Sequence, residues 1–369
     1  MLKTFVYRVY PSKTQIKRLE RVLETCRHWY NDCLSERQVA YAERGEQIGK
    51  FEQLAKVKER RHVNPWAAEV HSHVLQVVVT DVDKAFQAFF RRVRGGETPG
   101  YPRYKSQSRF HSFGYKEYGN GFKVDGRRLR LSGIGRVALR WHRPIQGTIK
   151  TVRLVRKVGW WYACFACEVE QQPLPATGQE IAIDAGLTAL IVTSQGEKIE
   201  NPHWFRKAEH KLRVFQRRVA RRKLDGSNRQ KARLQLQRYY KRISNRRKDF
   251  HNKLVYSLIQ QYDRIACENL HITYMVHNRK LAKSILDASW GYLIRHLQSK
   301  AVEAGRAVCL VDPSYTSRIC SQCGHLFEAL SLNDRWISCR CGLSLDRDHN
   351  AAINILNRAG QVRWALNSP

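Results

Sequence analysis

Apolar and polar residues alternate over positions 2–10, Leu-Lys-Thr-Phe-Val-Tyr-Arg-Val-Tyr, which predicts a half-buried β-strand closed by Pro11. The period then lengthens. Ile16, Leu19, Val22, Leu23, Cys26, Trp29, Tyr30, Cys33 and Leu34 recur at helical spacing, so residues 14–41 are expected to form a helix capped by Ser12. Cys26 and Cys33 stand seven apart on that face and read as core. A second helical region over 67–93 carries the stripe Val70, Val74, Val77, Val78, Val82, Phe86 and Phe89 and stops at Gly95-Gly96. Between 122 and 170, short alternating segments are punctuated by Gly126, Gly133, Gly135, Gly147 and Gly159, as in a small antiparallel sheet or barrel.

A composition shift at Gln171-Gln-Pro-Leu-Pro175 marks an expected domain boundary. Residues 180–199 then read as strand, bend, strand, turn and third strand. Asp184 ends the first and most apolar of these, and Gly186 lets the backbone pass close to whatever that carboxylate holds. Residues 263–269 predict another strand, with Glu268 at its end. A helix over 284–305 is led by Trp290, Leu293, Leu297 and Val302, and residues 307–311 predict a further strand. Ala352, Ile353, Ile355 and Leu356 fit one face of a last helix, and the tail beyond Gly360 reads as frayed. The length of 369 residues suggests two or three domains.

Charge changes the picture. Lys and Arg number 66 against 32 Asp and Glu, a net +34 that points to a polyanionic partner. It is concentrated: residues 206–248 hold 18 Lys or Arg against Glu209 and Asp225, on two expected helices broken at Asp225-Gly226-Ser227. Arg217, Arg218, Arg221, Arg222, Arg246 and Arg247 are candidate nucleic-acid contacts there. Between 98 and 118 aromatics alternate with cations, and Tyr101, Arg103 and Lys105 suit phosphate contact with base stacking, unless the loop simply tucks its rings under. No apolar run approaches a membrane span and no signal peptide opens the sequence, so a cytoplasmic protein with reduced thiols is expected.

Such thiols in pairs more often hold metal than form disulfides. Cys320-Ser-Gln-Cys323 and Cys339-Arg-Cys341 could close a tetrahedron around structural Zn²⁺, although the CxC spacing tightens the second loop and could recruit His325 instead. Cys164 and Cys167 are also CxxC, but three residues apart on a strand puts them on opposite faces. Asp346 and Asp348 precede the last helix, where a carboxylate would equally serve as a cap. Read with Asp184 and Glu268, Asp348 completes three acids from three elements. Two-metal hydrolysis of a phosphodiester needs such a set to hold two Mg²⁺ ions.

The order Ile181-Ala-Ile-Asp184-Ala-Gly-Leu187, Ala266-Cys-Glu268-Asn-Leu270, Tyr315-Thr-Ser-Arg-Ile-Cys-Ser-Gln-Cys-Gly324 and Asp346-Arg-Asp348-His-Asn-Ala-Ala-Ile-Asn-Ile355 resembles the transposon-encoded TnpB proteins, relatives of the type V CRISPR effector nucleases. Phe5-Val-Tyr-Arg-Val-Tyr-Pro11, Cys26-Arg-His-Trp-Tyr-Asn31 and Gly100-Tyr-Pro-Arg-Tyr-Lys105 extend the likeness over nearly the whole chain. The resemblance implies an α/β multidomain architecture. A wedge-like β-barrel would use residues 1–12 and 96–175, with a helical recognition insert over 13–95. An RNase H-like RuvC nuclease domain would use 176–316 and 343–360, with a zinc-binding target-loading element over 317–342 and a tail from 361. The implied catalytic, Mg-binding triad is Asp184, Glu268 and Asp348, with Asp346 a neighbour, and the implied zinc ligands are Cys320, Cys323, Cys339 and Cys341.

The implied activity is RNA-guided DNA cleavage. An omega RNA is the guide and double-stranded DNA beside a transposon-adjacent motif is the target, with base pairing supplying sequence discrimination. Two other classes compete: an RNA-guided DNA-binding regulator that does not cut, and a transposase or its accessory protein. Intact acids at all three positions speak against the first. The lack of an obvious catalytic tyrosine or histidine pair speaks against the second.

Overall fold

In β1 (Leu2–Tyr10), Phe5, Tyr7 and Val9 are buried and their neighbours are more exposed, as the alternation requires. The structure is a computed structural model that describes residues 1–331 and 334–361; the expected tail lies, from residue 362, outside the described residues. Two compact units divide the chain, one of residues Met1–Glu170 and one from Gln171 onward.

In the first unit, Ser12 and Gln15 form a reciprocal cap: Ser12 Oγ accepts from the Gln15 N–H at 3.2 Å, and Gln15 Oε1 accepts from the Ser12 N–H at 3.0 Å. The helix they open, α1 (Lys13–Arg44), buries the stripe from Leu19 to Leu34, Cys26 and Cys33 included. It stops at Gly45, whose φ of 67° disfavours any side chain. Two short helices, α2 (Lys50–Ala55) and α3 (Val57–Val63), have no counterpart in the hydrophobic pattern. Polar contacts anchor them: buried Gln53 of α2 donates to Cys33 O and Glu36 at 2.8 Å and accepts from Arg37 at 2.9 Å, and Arg61 of α3 donates to Val70 O at 3.0 Å and Ala68 O at 2.8 Å. The second helical region is two pieces, α4 (Pro65–Ala68), capped by Asn64, and α5 (Ser72–Arg94).

β2 (Ser112–Tyr115), β3 (Glu117–Tyr118), β4 (Gly121–Asp125), β5 (Arg128–Leu131), β6 (Gly135–Leu139), β7 (Thr148–Lys157) and β8 (Trp160–Glu168) join β1 in one sheet, ordered β2-β7-β8-β1-β6-β5-β4-β3. Its two edge strands, β2 and β3, are consecutive in the chain with Lys116 alone between them, so the sheet curls until its ends are neighbours. On β8, Cys167 is buried and Cys164 only half-buried, on opposite faces.

In the second unit, β9 (Glu180–Asp184), β10 (Ala189–Thr193) and β11 (Lys198–Glu200) form a meander, followed by α6 (Trp204–Ala220) and α7 (Ser227–Gln261). The helix pair breaks at Asp225-Gly226 as the pattern requires, but α7 continues past the basic stretch because Val255, Leu258 and Ile259 are buried in the core. β12 (Arg264–Glu268), α8 (Ile272–Met275), α9 (Ala282–Ala288), α10 (Trp290–Ala304) and β13 (Ala307–Val311) follow. The helix expected over 284–305 is thus two. Ser289 is left-handed at φ 57°, and buried Asp287 accepts from the Phe205 and Arg206 N–H groups at 2.9 and 3.2 Å, capping α6.

The sheet order is β11-β10-β9-β12-β13, with β9, β12 and β13 mutually parallel and β10 and β11 antiparallel. A hairpin of β14 (Trp336–Ser338) and β15 (Ser344–Asp346) leads into α11 (Arg347–Gln361). The period of two sorts the strand residues. Ile181, Ile183, Ile265 and Cys267 join the core that contains residues of α7 and α10, whereas Ala182 and Ala266 pack with Ile355 and Ala359 of α11.

Candidate functional site

That alternation places Asp184 and Glu268. Each is two residues beyond an alanine that faces α11, so both carboxylates lie on α11's side of the sheet, at the carboxyl ends of adjacent parallel strands paired Ile183 to Cys267. Alanine at 182 and 266 lets α11 come close, and Asp348 in its first turn meets the strand ends. Gly186 lies beside it, where a Cβ would stand at a crowded 3.0 Å from Ala189 O and at an ordinary contact distance of 3.9 Å from Asp348 Oδ2.

Burial pushes the Asp184 carboxyl well above its ordinary range, and the nearby charges of Glu268 and Asp348 raise it further. Burial also raises Glu268, against a hydrogen bond from the Thr316 hydroxyl, 2.5 Å from Glu268 Oε1. Asp346 differs from both. Its Oδ1 accepts from the Asp348 and His349 N–H groups at 3.0 and 3.2 Å, and its Oδ2 lies 2.6 Å from Lys198 Nζ. The cap role therefore falls to Asp346, while Asp348 is left with loose pairs to Arg335 at 3.9 Å and Arg347 at 4.0 Å.

Three positioning residues carry no periodic signal. Thr316 orients Glu268; Asn354 Nδ2 donates to Thr316 O at 2.9 Å and Ile319 O at 2.6 Å, and Asn350 Nδ2 donates to Ile319 O at 2.7 Å. Residues four apart on α11 thus fasten the approach to the cysteines. Their only advance sign is that asparagine is unusual at buried positions of an apolar face.

The Sγ atoms of Cys320, Cys323, Cys339 and Cys341 all lie within 4.8 Å of one another. Cys320 and Cys341 are 3.6 Å apart and Cys323 and Cys339 3.5 Å, close to the ~3.8 Å edge of a tetrahedron with 2.3 Å Zn–S bonds. The CxC pair closes over the turn Cys339 O to Gly342 N, with Gly342 at φ 94°. His325 is outside this group, its ring set edge-on to Phe327 at 5.5 Å. Among the described residues the three carboxylates do not gather as tightly. Acids that share two ions ~3.5–4 Å apart need not do so.

A family profile described as "Probable transposase", of the OrfB type of IS605 elements, matches residues 164–279, and a "Cas12f1-like, TNB domain" profile matches 290–355. A third, "Helix-turn-helix domain", matches 1–46, where the fold is the strand β1 and the single helix α1. A Streptomyces pristinaespiralis protein named "Putative RNA-guided DNA endonuclease" is 34% identical over 362 residues, covering 96% of this chain and 88% of its own length. The chain belongs to the OrfB/TnpB family. An Escherichia coli K12 relative, InsQ, named in the same words, is 28% identical over 377 residues, 96% of this chain and 92% of its own. A solved Cas12f1 complex with sgRNA and target DNA shares the fold of this TnpB-family chain at TM-score 0.64 and 12% identity, covering 96% of this chain and 98% of that one.

The basic candidates separate by their contacts. Arg217, Arg221, Arg222 and Arg246 are exposed on α6, α7 and the turn between them, and Arg218 is exposed with a 3.3 Å bond to Gln235. Arg247 is instead structural, donating to Leu286 O at 2.7 Å. Arg103 is exposed. Tyr101 packs edge-on against Phe86 and Phe89, and Lys105 is bound through its backbone to Asn31 with its ammonium over Tyr30.

The raised acids fix a sign. Their folded values lie above the unfolded ones, so their contribution to stability is complete below the ordinary carboxylate range and is lost as pH rises through the folded values. Asp184→Asn is therefore expected to raise the melting temperature of the cation-free protein at neutral pH, with the gain shrinking on acidification. A melting temperature that falls at neutral pH and recovers in acid would contradict this.

Proposed function

We propose that this TnpB-family chain is an RNA-guided DNA endonuclease that binds an omega RNA and cuts double-stranded DNA beside a transposon-adjacent motif. The observation that carries the reading is the convergence of Asp184, Glu268 and Asp348, from two parallel strands and one helix, on one side of a sheet. The order β11-β10-β9-β12-β13 supports an RNase H-like RuvC domain, and the chain-adjacent edges of the larger sheet support the wedge-like barrel. On this reading the chain works in the cytoplasm; no described helix is long and apolar enough to cross a membrane.

Mg²⁺ fits the acids, because buried like charges need a counter-charge and carboxylates are its preferred ligands. Asp184, Glu268 and Asp348 would hold two ions, and Cys320, Cys323, Cys339 and Cys341 would hold Zn²⁺. Bound Mg²⁺ supplies the charge that polarises a phosphate and acidifies an attacking water. The chain's own residues supply the placement. Thr316 aims Glu268, and Asp346, committed to Lys198 and the helix amides, leaves Asp348 available.

The test is to sequence the RNA that copurifies and to offer the complex a plasmid library of matched targets with Mg²⁺. A defined RNA and linearised plasmid are expected; uncut plasmid with a bound guide would favour the non-cutting regulator. RNA binding should also weaken by roughly 10³-fold or more between 50 and 200 mM salt if six or more phosphates are neutralised. A flat salt response would contradict phosphate contact.

A further inference from the structure

Between α6 and α7 lies a cavity of about 290 Å³ that the cleavage reading does not use. Each helix lines it with one aromatic and two cations at the same spacing: Trp204, Lys207 and Lys211 on α6, Tyr239, Arg242 and Arg246 on α7. Positions i, i+3 and i+7 share a helical face, so the two helices offer matching faces to one space. Lys207 Nζ and the Arg246 guanidinium stand 5.8 and 5.4 Å from the Trp204 ring centre, and Lys211 Nζ 5.6 Å from that of Tyr239.

Among the described residues no carboxylate pairs with these four cations. Neighbouring Glu209 is held by Arg213 and Lys283. The Trp204 indole N–H is buried without an acceptor. Ala208, Leu212 and Ile243 form a buried cluster against which both rings pack, so the rings sit on folded helices. Unpaired cations beside flat rings complement a ligand with an anionic end and a flat end.

We propose that this cleft binds one nucleoside monophosphate, its base against the aromatic walls and its phosphate on Arg242 and Arg246. The volume of about 290 Å³ falls just under the ligand-pocket range of ~300–1,000 Å³, which suits one nucleotide better than a stacked pair. Two sources offer that chemistry: a free nucleotide, or an unstacked nucleotide of a bound strand. The second rests on the nucleic-acid reading above.

The full-length protein, stripped of RNA, is titrated with AMP and with a short single-stranded RNA carrying one 2-aminopurine, whose emission falls when the base stacks. Saturable binding of AMP is expected, together with strand quenching that AMP reverses and ribose 5-phosphate does not. Arg242→Gln with Arg246→Gln, and separately Tyr239→Leu, should each weaken AMP binding about tenfold or more. Lys231→Gln with Arg233→Gln removes equal charge from α7 outside the cleft and should leave AMP binding unchanged, all variants being matched by melting temperature.

AMP binding without strand quenching would support the cleft and assign it to a free nucleotide. No saturable AMP binding, equal loss in the control pair, or equal competition by ribose 5-phosphate would overturn the proposal. Guide-dependent cleavage without AMP binding would sink the cleft alone. AMP binding without cleavage would sink the endonuclease alone.

Discussion

Asp184→Ala is expected to reduce DNA cleavage by roughly 10³-fold or more while leaving the affinity for guide RNA and target unchanged. The size follows from position. Asp184 stands beside both other acids; on the two-ion mechanism proposed above its removal would leave neither ion with a full set of ligands, and ion placement is worth several kcal/mol in such sites, ~4 kcal/mol being 10³-fold in rate. Two graded controls separate chemistry from folding. Thr316→Val leaves the acids in place but unbinds Glu268, and should cost about 10- to 100-fold, as removal of a partner behind a metal ligand does. Asp346→Ala removes the α11 cap and should cost about 1 kcal/mol of stability, with most of the cleavage retained. Equal cutting by Asp184→Ala and the parent, in matched complexes, would remove Asp184 from the reaction.

What the sequence made legible divides along the range of the interactions. β1, β9, β12 and β13 bury one or both faces and advertise it in runs of apolar residues, and α1 announces itself through a stripe with Ser12 before it. Because period two also decides which face a residue takes, the positions of Asp184 and Glu268 at two strand ends follow from local pattern alone. The adjacency of those strands does not, since Ile183 and its partner Cys267 are 84 positions apart in the chain. α2 and α3 were invisible because single polar contacts, and not a stripe, fix them: Gln53 with Arg37 holds α2, and Arg60 on Glu36 and Arg61 on the Ala68 and Val70 carbonyls hold α3. Asp346 and Asp348 look alike in the sequence; Lys198, far upstream, takes Asp346 and so distinguishes them. Ser289 breaks a helix that periodicity would continue, because Asp287 is turned inward to cap α6.

On the proposed assignment of zinc to the four cysteines, removal of the ion is expected to disable cleavage from a distance. Among the described residues of 317–342 few apolar groups are buried, chiefly Ile337 and Cys320 itself, and the one strand is the three-residue β14. Such a segment cannot offset its own ordering entropy, whereas a four-thiolate zinc site contributes about 10–16 kcal/mol of apparent binding energy. Loss of the ion should therefore unfold this element first.

Both ends of the element are joined to the acids. Thr316, four residues before Cys320, holds Glu268, and β15, which begins two residues after Gly342, ends at the Asp346 cap beside Asp348. Asn350 and Asn354 bind the backbone between Thr316 and Ser321, so slack there reaches α11 directly. Cys320→Ser is expected to lose one equivalent of zinc by elemental analysis, to become protease-sensitive within 317–342, and to cut at least about tenfold more slowly. His325→Ala should keep its zinc, since that ring lies with Phe327 outside the cluster. Full zinc in Cys320→Ser, or zinc loss in His325→Ala, would reassign the ligands; zinc loss with undiminished cleavage would break the link between this element and the acids.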